Sequence, residues 1–265
     1  MNHSTPVATA LRAVRPGPVF LGLVAATAAG GVLLWLSGDE SSGTAIGGMW
    51  LLILGGWLIS LCLHEFAHAF TAFRYGDHSA ELRGYLTLDP RRYTHPLLSL
   101  GLPLLIIVLG GIGFPGGAVY LHTDRMTKGQ QTRVSLAGPA ANLILGVLLL
   151  IAVAVTPEDA GTANLLGGLT FLAFLQITAT VLNLIPMPGF DGFNAIAPYL
   201  SYETRRSAAQ IAPWGFLIVF ALLWIPQLNR AFFDVVHGVI DLFGVPADLM
   251  YDGYRLFLFW NHLGY

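Results

Sequence analysis

Two histidines and a glutamate, His64, Glu65 and His68, lie inside the apolar stretch LHEFAHAF at residues 63–70. Residues four apart share one face of an α-helix, so the two imidazoles would be placed to bind the same zinc ion. Glu65 would reach an attacking water molecule without binding the metal, as a general base does. The alternative is a pair of polar side chains satisfied within a helical bundle, but intramembrane ionisable residues are rare and usually functional.

A catalytic zinc site takes three protein ligands, so a third ligand must come from elsewhere in the chain. The candidates are His78, His95, His122 and Asp191. Asp191 lies in NLIPMPGFDG at residues 183–192, where prolines and glycines end a helix and let the backbone turn back. An Asp-Gly turn in an ordinary loop is the alternative interpretation of this segment.

The composition indicates what kind of protein must position these residues. The chain has 265 residues, of which 55% are hydrophobic and only 11% charged, whereas soluble domains carry about 25% charged residues. A membrane-spanning helix needs roughly 20 apolar residues. Apolar stretches lie at residues 18–36, 46–73, 97–114, 134–155, 166–186 and 211–226. The sequence therefore predicts an all-α polytopic membrane protein with about six transmembrane helices.

The stretch at 97–114 is predicted to be a re-entrant hairpin or short β element between the second and third helices. It is short, contains Pro103 and ends in GGIGFPGG. Treating it as a hairpin places the basic residues inside and the acidic loops outside, as the positive-inside rule requires. It also places His68 and Asp191 at the same membrane face, which favours Asp191 as the third ligand.

This topology predicts a multi-pass protein of the plasma membrane, with the N-terminus and the mouth of the site in the cytoplasm. The first stretch follows two arginines, but we interpret it as a retained helix rather than a cleaved signal peptide. The net charge of −2 gives no basic excess for nucleic acid. The single cysteine, Cys62, excludes an internal disulfide framework.

Four segments together resemble the site-2 protease family of intramembrane zinc metalloproteases (peptidase M50-like). They are HEFAHAF, RGYLTLDPRRYTHPL at 83–97, SLAGPAANL at 135–143 and NLIPMPGFDG, in the family's order over residues 46–195. The resemblance implies that His64, His68 and Asp191 bind one Zn²⁺ and that Glu65 activates water.

The resemblance also implies that Asn142, together with Asn183, positions a substrate strand or supports the transition state. From the residues alone, Asn142 is an amide in an apolar helix and equally fits a hydrogen bond between helices.

The chain departs from many relatives in two respects. It has no room for a PDZ domain or a CBS pair, so we expect a minimal form of the family. It also reads GFPGGAVYLHTD where relatives often have Gly-x-x-Lys-Pro, which leaves the local substrate-edge geometry open. His122 in that segment is interpreted as an ordinary loop histidine, with a pH-sensitive group as the alternative.

Three regions are expected: a tail and first helix at 1–45, the metalloprotease core at 46–195, and C-terminal helices at 196–265. In the last region, Phe233, Val236, Ile240 and Phe243 fall on one helical stripe. This spacing predicts an amphipathic interfacial helix, with a tilted final crossing as the alternative. Nearby aromatic residues suit a membrane interface or a homodimer contact.

These observations predict hydrolysis of a peptide bond in or near a transmembrane segment of another protein, as in regulated intramembrane proteolysis. The expected partners are the lipid bilayer and a membrane-tethered substrate, for example an anti-sigma factor. The alternatives are a metal transporter and a scaffold that binds membrane segments without cutting them. Transport would require polar residues along a pore, and a scaffold would not need Glu65.

Overall fold

We describe the fold from a computed structural model, which covers residues 5–92 and 121–262. These residues form helices and irregular connections without a β-strand. The stretch at 97–114 and His95 lie outside the described residues. The helices are α1 (Val7–Leu11), α2 (Pro18–Ser37), α3 (Gly43–Arg74), α4 (Ser79–Leu82), α5 (Lys128–Val155), α6 (Ala163–Asn183), α7 (Asp191–Ile196), α8 (Tyr202–Ile211), α9 (Gly215–Leu222), α10 (Pro226–Asp241) and α11 (Ala247–Phe257).

Four of these helices, α2, α3, α5 and α6, are long and apolar enough to cross a membrane. They coincide with four of the predicted stretches, which confirms an all-α polytopic membrane protein. A fifth span is present if the bent pair Tyr202–Leu222 and Pro226–Asp241 crosses as one unit. The described residues therefore hold four or five spans, against the expected total of about six.

Helix α6 lies at the centre of the bundle. In its most apolar window 78% of the residues are buried, compared with 11% in α2. Helix α3 packs against α2, α5 and α6, and α11 packs against both α6 and α3. The main apolar core forms where these helices meet, around Leu52, Leu150 and Leu172. This arrangement fixes α3 and α5, which carry the candidate site, against a buried central helix.

The 211–226 stretch does not form the single spanning helix that the sequence predicts. It begins with a 3₁₀ turn at Ala212–Trp214, continues as the eight-residue α9 and ends where Pro226 starts α10. Proline lacks the N–H needed inside a helix but suits a first turn, so Pro213 and Pro226 both mark helix starts here. The helical segments Tyr202–Leu222 and Pro226–Asp241 meet at an angle of 96°.

The four residues of the C-terminal stripe lie on one side of α10 and of the turn that follows it, as their spacing predicts, and they pack against the protein core. Val236 and Ile240 are buried, and Phe233 and Phe243 are half-buried against the main core. Helix α10 thus turns its apolar face towards α6.

Candidate metal centre

The H-E-x-x-H residues lie in the last third of α3, where the helix is enclosed by its neighbours. His64, Glu65 and His68 are all buried. The two imidazole rings are one turn apart, with centroids 4.7 Å from each other. Their Nε2 atoms are 3.1 Å apart, so the predicted sharing of one helix face is present in the fold.

Asp191 is the first residue of α7, in the segment that follows α6. Its Oδ2 lies 3.1 Å from Nε2 of His64 and 3.3 Å from Nε2 of His68. The turn before it closes at Gly189, whose φ of +103° is strained for residues with a side chain. A chain reversal built from Pro and Gly thus returns Asp191 to the imidazoles, as the sequence predicts.

The three ligand atoms fit a zinc ion. Zinc bonds of about 2.0–2.1 Å in a tetrahedral site place neighbouring ligand atoms about 3.4 Å apart, close to the observed 3.1, 3.1 and 3.3 Å. The buried Oδ2 of Asp191 has no hydrogen-bond partner in the described residues, although it faces Nε2 of both imidazoles. This donor set is one that zinc prefers.

The position of one proposed ligand, His68, is fixed by a hydrogen bond from its other ring nitrogen. Nδ1 of His68 lies 2.6 Å from the carbonyl oxygen of Val134 on α5, which makes Nδ1 the protonated nitrogen and leaves Nε2 free to bind a metal. Burial raises the pKa of Asp191, but the neighbouring imidazoles of His64 and His68 lower it by more. The carboxylate is therefore held ionised, as a metal ligand must be.

The cluster opens into a cavity of about 450 Å³. Glu65 lies on the cavity wall beside the ligands, so its carboxylate and the metal site share one solvent space. The remaining lining is mainly polar and includes Thr123, Gln131, Ser135, Asn183, Asn194 and Arg205. The cavity is thus suited to water and to a polar peptide backbone.

The other predicted residues occupy different positions. Asn183 lines the cavity, and its amide nitrogen donates to the carbonyl of Ala179. Asn142 is buried in α5, its Oδ1 has no partner in the described residues, and it does not line the cavity. His78 is exposed and packs edge-on against Phe73, and His122 contacts Ser79. Among the described candidates, only Asp191 meets the two histidines.

Sequence reasoning missed the role of Gly138 in the AGP segment of α5. A Cβ added there would clash with Nε2 of His68 and would lie 2.6 Å from Nε2 of His64. Helix α5 therefore approaches both imidazoles so closely that only glycine fits. The Gly-Pro pair in the sequence was a signal for this position, but it does not reveal which side chains lie opposite.

Comparison with known proteins agrees with this geometry. The chain is 55% identical over 250 residues to a protein of Mycolicibacterium smegmatis named "Putative zinc metalloprotease Rip2", covering 94% of this chain and 96% of that protein. It is 53% identical over 248 residues to the protein of the same name from Mycobacterium tuberculosis, covering 94% and 95% of the two chains. A Bacillus subtilis protein, "Putative zinc metalloprotease YwhC", is 29% identical over 182 residues, which are 65% of this chain and 79% of that protein.

No family model matches the chain, and no solved structure gives a significant match. The relatives nevertheless share more than half of their residues with it over nearly its full length. The histidines of the H-E-x-x-H helix and the aspartate of the distant Asp-Gly turn converge on one point. The chain therefore belongs to the site-2 protease family of zinc metalloproteases.

Proposed function

We propose that this protein is an intramembrane zinc endopeptidase that cuts a peptide bond in or near a transmembrane segment of another protein. The observation that carries the proposal is the placement of Glu65 on the wall of the cavity into which the His64, His68 and Asp191 ligand atoms point. A metal-storage or transport site would have the ligands but no use for a buried carboxylate beside them.

The ligand set would hold one Zn²⁺ per chain, and a zinc ion so held supplies a Lewis acid that acidifies water and polarises a carbonyl. Glu65 accepts the proton of the attacking water and delivers it to the leaving amine. Asn183, on the same cavity wall, offers an amide to the substrate backbone. The polar lining keeps this space open to water while the outer surfaces of α2 and α5 face lipid.

The substrate we propose is a single membrane-spanning segment that unwinds locally at the site. Carbonyl groups inside a helix are already hydrogen-bonded, so an extended backbone must be presented for attack. A membrane-tethered regulator, such as an anti-sigma factor, is a substrate of this kind. Arg205 lines the cavity and Arg74 ends α3, and the positive-inside rule supports our proposal that this side of a plasma-membrane protein faces the cytoplasm.

Glu65→Gln tests this function, with Glu81→Gln as a control at an exposed glutamate of α4. Each detergent-purified protein would be incubated with membrane proteins of the source cell, and new peptide termini would be identified by mass spectrometry. We expect new termini within spanning segments for the unchanged protein and for Glu81→Gln, and none for Glu65→Gln, with equal zinc in all three. Equal cleavage by Glu65→Gln would contradict the assignment of the general base.

A further inference from the structure

A buried carboxylate outside the metal centre ties the end of α3 to the residues that precede α5. The side chain of Asp77 is only 3% exposed, although it lies in the turn between α3 and α4. Its Oδ2 accepts a 2.8 Å hydrogen bond from the backbone N–H of His122. Its Oδ1 accepts bonds from the hydroxyl and the backbone N–H of Ser79, at 2.6 and 3.1 Å. We call Asp77, Ser79 and His122 the Asp77 clamp.

The two carboxylate oxygens of Asp77 accept hydrogen bonds from different parts of the chain. The bonds from Ser79 to Oδ1 are local and would form in any turn that starts a short helix. The bond to Oδ2 comes from a residue 45 positions later in the chain, so it has no role in the turn itself. A buried carboxylate is tolerated only when its acceptors are paired, and here His122 completes the pairing. The clamp thus fixes a long-range position.

The backbone rather than the imidazole of His122 carries this contact. The side chain of His122 is 64% exposed, and its Nδ1 lies 3.8 Å from Oδ1 of Asp77, beyond hydrogen-bonding distance. Within the described part of the chain, its close polar contact is with the hydroxyl of Ser79, at 3.0 Å. Replacing the side chain should therefore matter less than removing the backbone N–H.

The clamped residues form part of the catalytic cavity. Leu121 and Thr123, on either side of His122, both line the space that contains His64 and Glu65. The segment has a second attachment at Met126, which is buried against Ala72 and Val134. The carbonyl of Val134 in turn contacts His68. One wall of the cavity is thus anchored at two points, to the turn after α3 by Asp77 and to α3 and α5 by Met126.

We propose that Asp77 is a positioning residue, which holds residues 121–123 as a fixed wall of the cavity and so sets the alignment of the substrate backbone. What the cavity binds rests on the proposed function; the fixing of the wall does not. Asp77 touches neither the ligand atoms nor Glu65 in the described contacts, so its effect passes through the backbone of residues 121–123.

Cysteine labelling tests the wall without any need for proteolysis. Thr123→Cys would be introduced into the full chain, whose native Cys62 is fully buried, and its rate of reaction with a maleimide measured in detergent. Four backgrounds would be compared with the unchanged one: Asp77→Ala, His122→Pro, His122→Ala and Asp124→Ala. Proline removes the N–H that the clamp uses, whereas alanine keeps it, and Asp124 is an exposed aspartate of the same segment.

We expect labelling about tenfold faster with Asp77→Ala and with His122→Pro, because each change removes the hydrogen bond from the His122 N–H to the Asp77 carboxylate. The two changes combined should accelerate labelling by less than the product of their separate effects, since both remove the bond from the His122 N–H. His122→Ala and Asp124→Ala should leave the rate unchanged. Equal rates in the unchanged and Asp77→Ala backgrounds, or acceleration by Asp124→Ala, would overturn the proposal.

Kinetics then separate positioning from folding. With a substrate found in the termini experiment, Asp77→Ala should lower kcat per bound zinc about tenfold with little change in KM, because orientation rather than binding is lost. Asp77→Asn keeps one acceptor oxygen and should restore most of this rate. A fall in zinc content that accounts for the whole loss would instead assign Asp77 to folding. If no substrate is cut at all, the proposed function fails while the labelling result still stands.

Discussion

At the scale of single residues, Gly138 makes the metal centre sensitive to one methyl group. Gly138→Ala would ordinarily stabilise a helix by about 0.5–1 kcal/mol, but here the new Cβ would occupy the space of the imidazole nitrogens. We expect zinc affinity to fall by at least roughly tenfold, as when the surroundings of metal ligands are disturbed. Metal titration of the purified protein measures the effect.

Gly129→Ala is the matched control for this change. Gly129 lies on the same helix, and a Cβ there would meet nothing within 4 Å. The Gly129→Ala variant should therefore bind zinc with the same affinity as the unchanged protein. Equal zinc affinity of the Gly138 and Gly129 variants would mean that α5 can move away from the imidazoles at little cost.

Asp191 is the proposed ligand that lies far from the H-E-x-x-H motif in the sequence. Asp191→Ala removes one of three ligands, so we expect about one zinc per chain in the unchanged protein and a large loss in the variant. Elemental analysis of detergent-purified protein measures the ratio, with the exposed Asp39→Ala as control. Full zinc occupancy in Asp191→Ala would point to a ligand outside the described residues, with His95 as the first candidate.

At the scale of elements, α11 crosses α6 at two glycines. A Cβ on Gly253 would clash with the carbonyl oxygen of Gly167 and approach Cβ of Phe171 at 3.0 Å. Gly253→Ala should therefore push the two helices apart and destabilise the protein by about 1–3 kcal/mol. A lower apparent Tm in detergent would report this loss.

Gly238→Ala provides the comparison for Gly253→Ala. Gly238 lies inside α10 with nothing within 4 Å of an added Cβ, so the change should leave Tm equal or higher. If Gly253→Ala behaved in the same way, the contact between α6 and α11 would not be a tight one.

Local sequence patterns were enough to predict the spanning helices, but they could not predict features that depend on contacts between distant parts of the chain. His64 and His68 follow from the period of a helix, and α2, α3, α5 and α6 follow from apolar length. Asp191 required the charge balance of the loops as additional information. The roles of Gly138 and Asp77 were beyond reach, because each depends on what lies opposite: two imidazoles in one case, a distant backbone N–H in the other. The 96° bend before α10 was missed because Pro226 fits the end of a span as well as the start of a new helix.

At the scale of the whole molecule, the proposed orientation makes opposite predictions for two exposed serines. Ser41 lies between α2 and α3, and Ser201 lies just before α8. With the N-terminus in the cytoplasm, Ser41→Cys should react with a membrane-impermeant maleimide in intact cells. Ser201→Cys should react only after permeabilisation.

The native protein is the control for this labelling, since Cys62 is buried and should remain unmodified. Labelling of Ser201→Cys but not of Ser41→Cys in intact cells would show that the orientation is the opposite of the proposed one. Labelling of both sites in intact cells would mean that an even number of segments crosses the bilayer between them, as would be the case if the 97–114 stretch crossed instead of forming a hairpin.

The proximity of His68 and Asp191, which are far apart in the sequence, also has a consequence for the stability of the fold. A metal ion bound to both would close a loop of the chain that contains α5 and α6, and it would bind the folded chain more tightly than the unfolded one, in which the ligands are far apart. Zinc should therefore act as a reversible crosslink, adding about 2.7 kcal/mol when free zinc is 100 times its Kd. A chelator should lower the Tm of the unchanged protein but leave that of Asp191→Ala where it was. In a cell, metal supply would then govern how long the protein survives quality control as well as whether it is active.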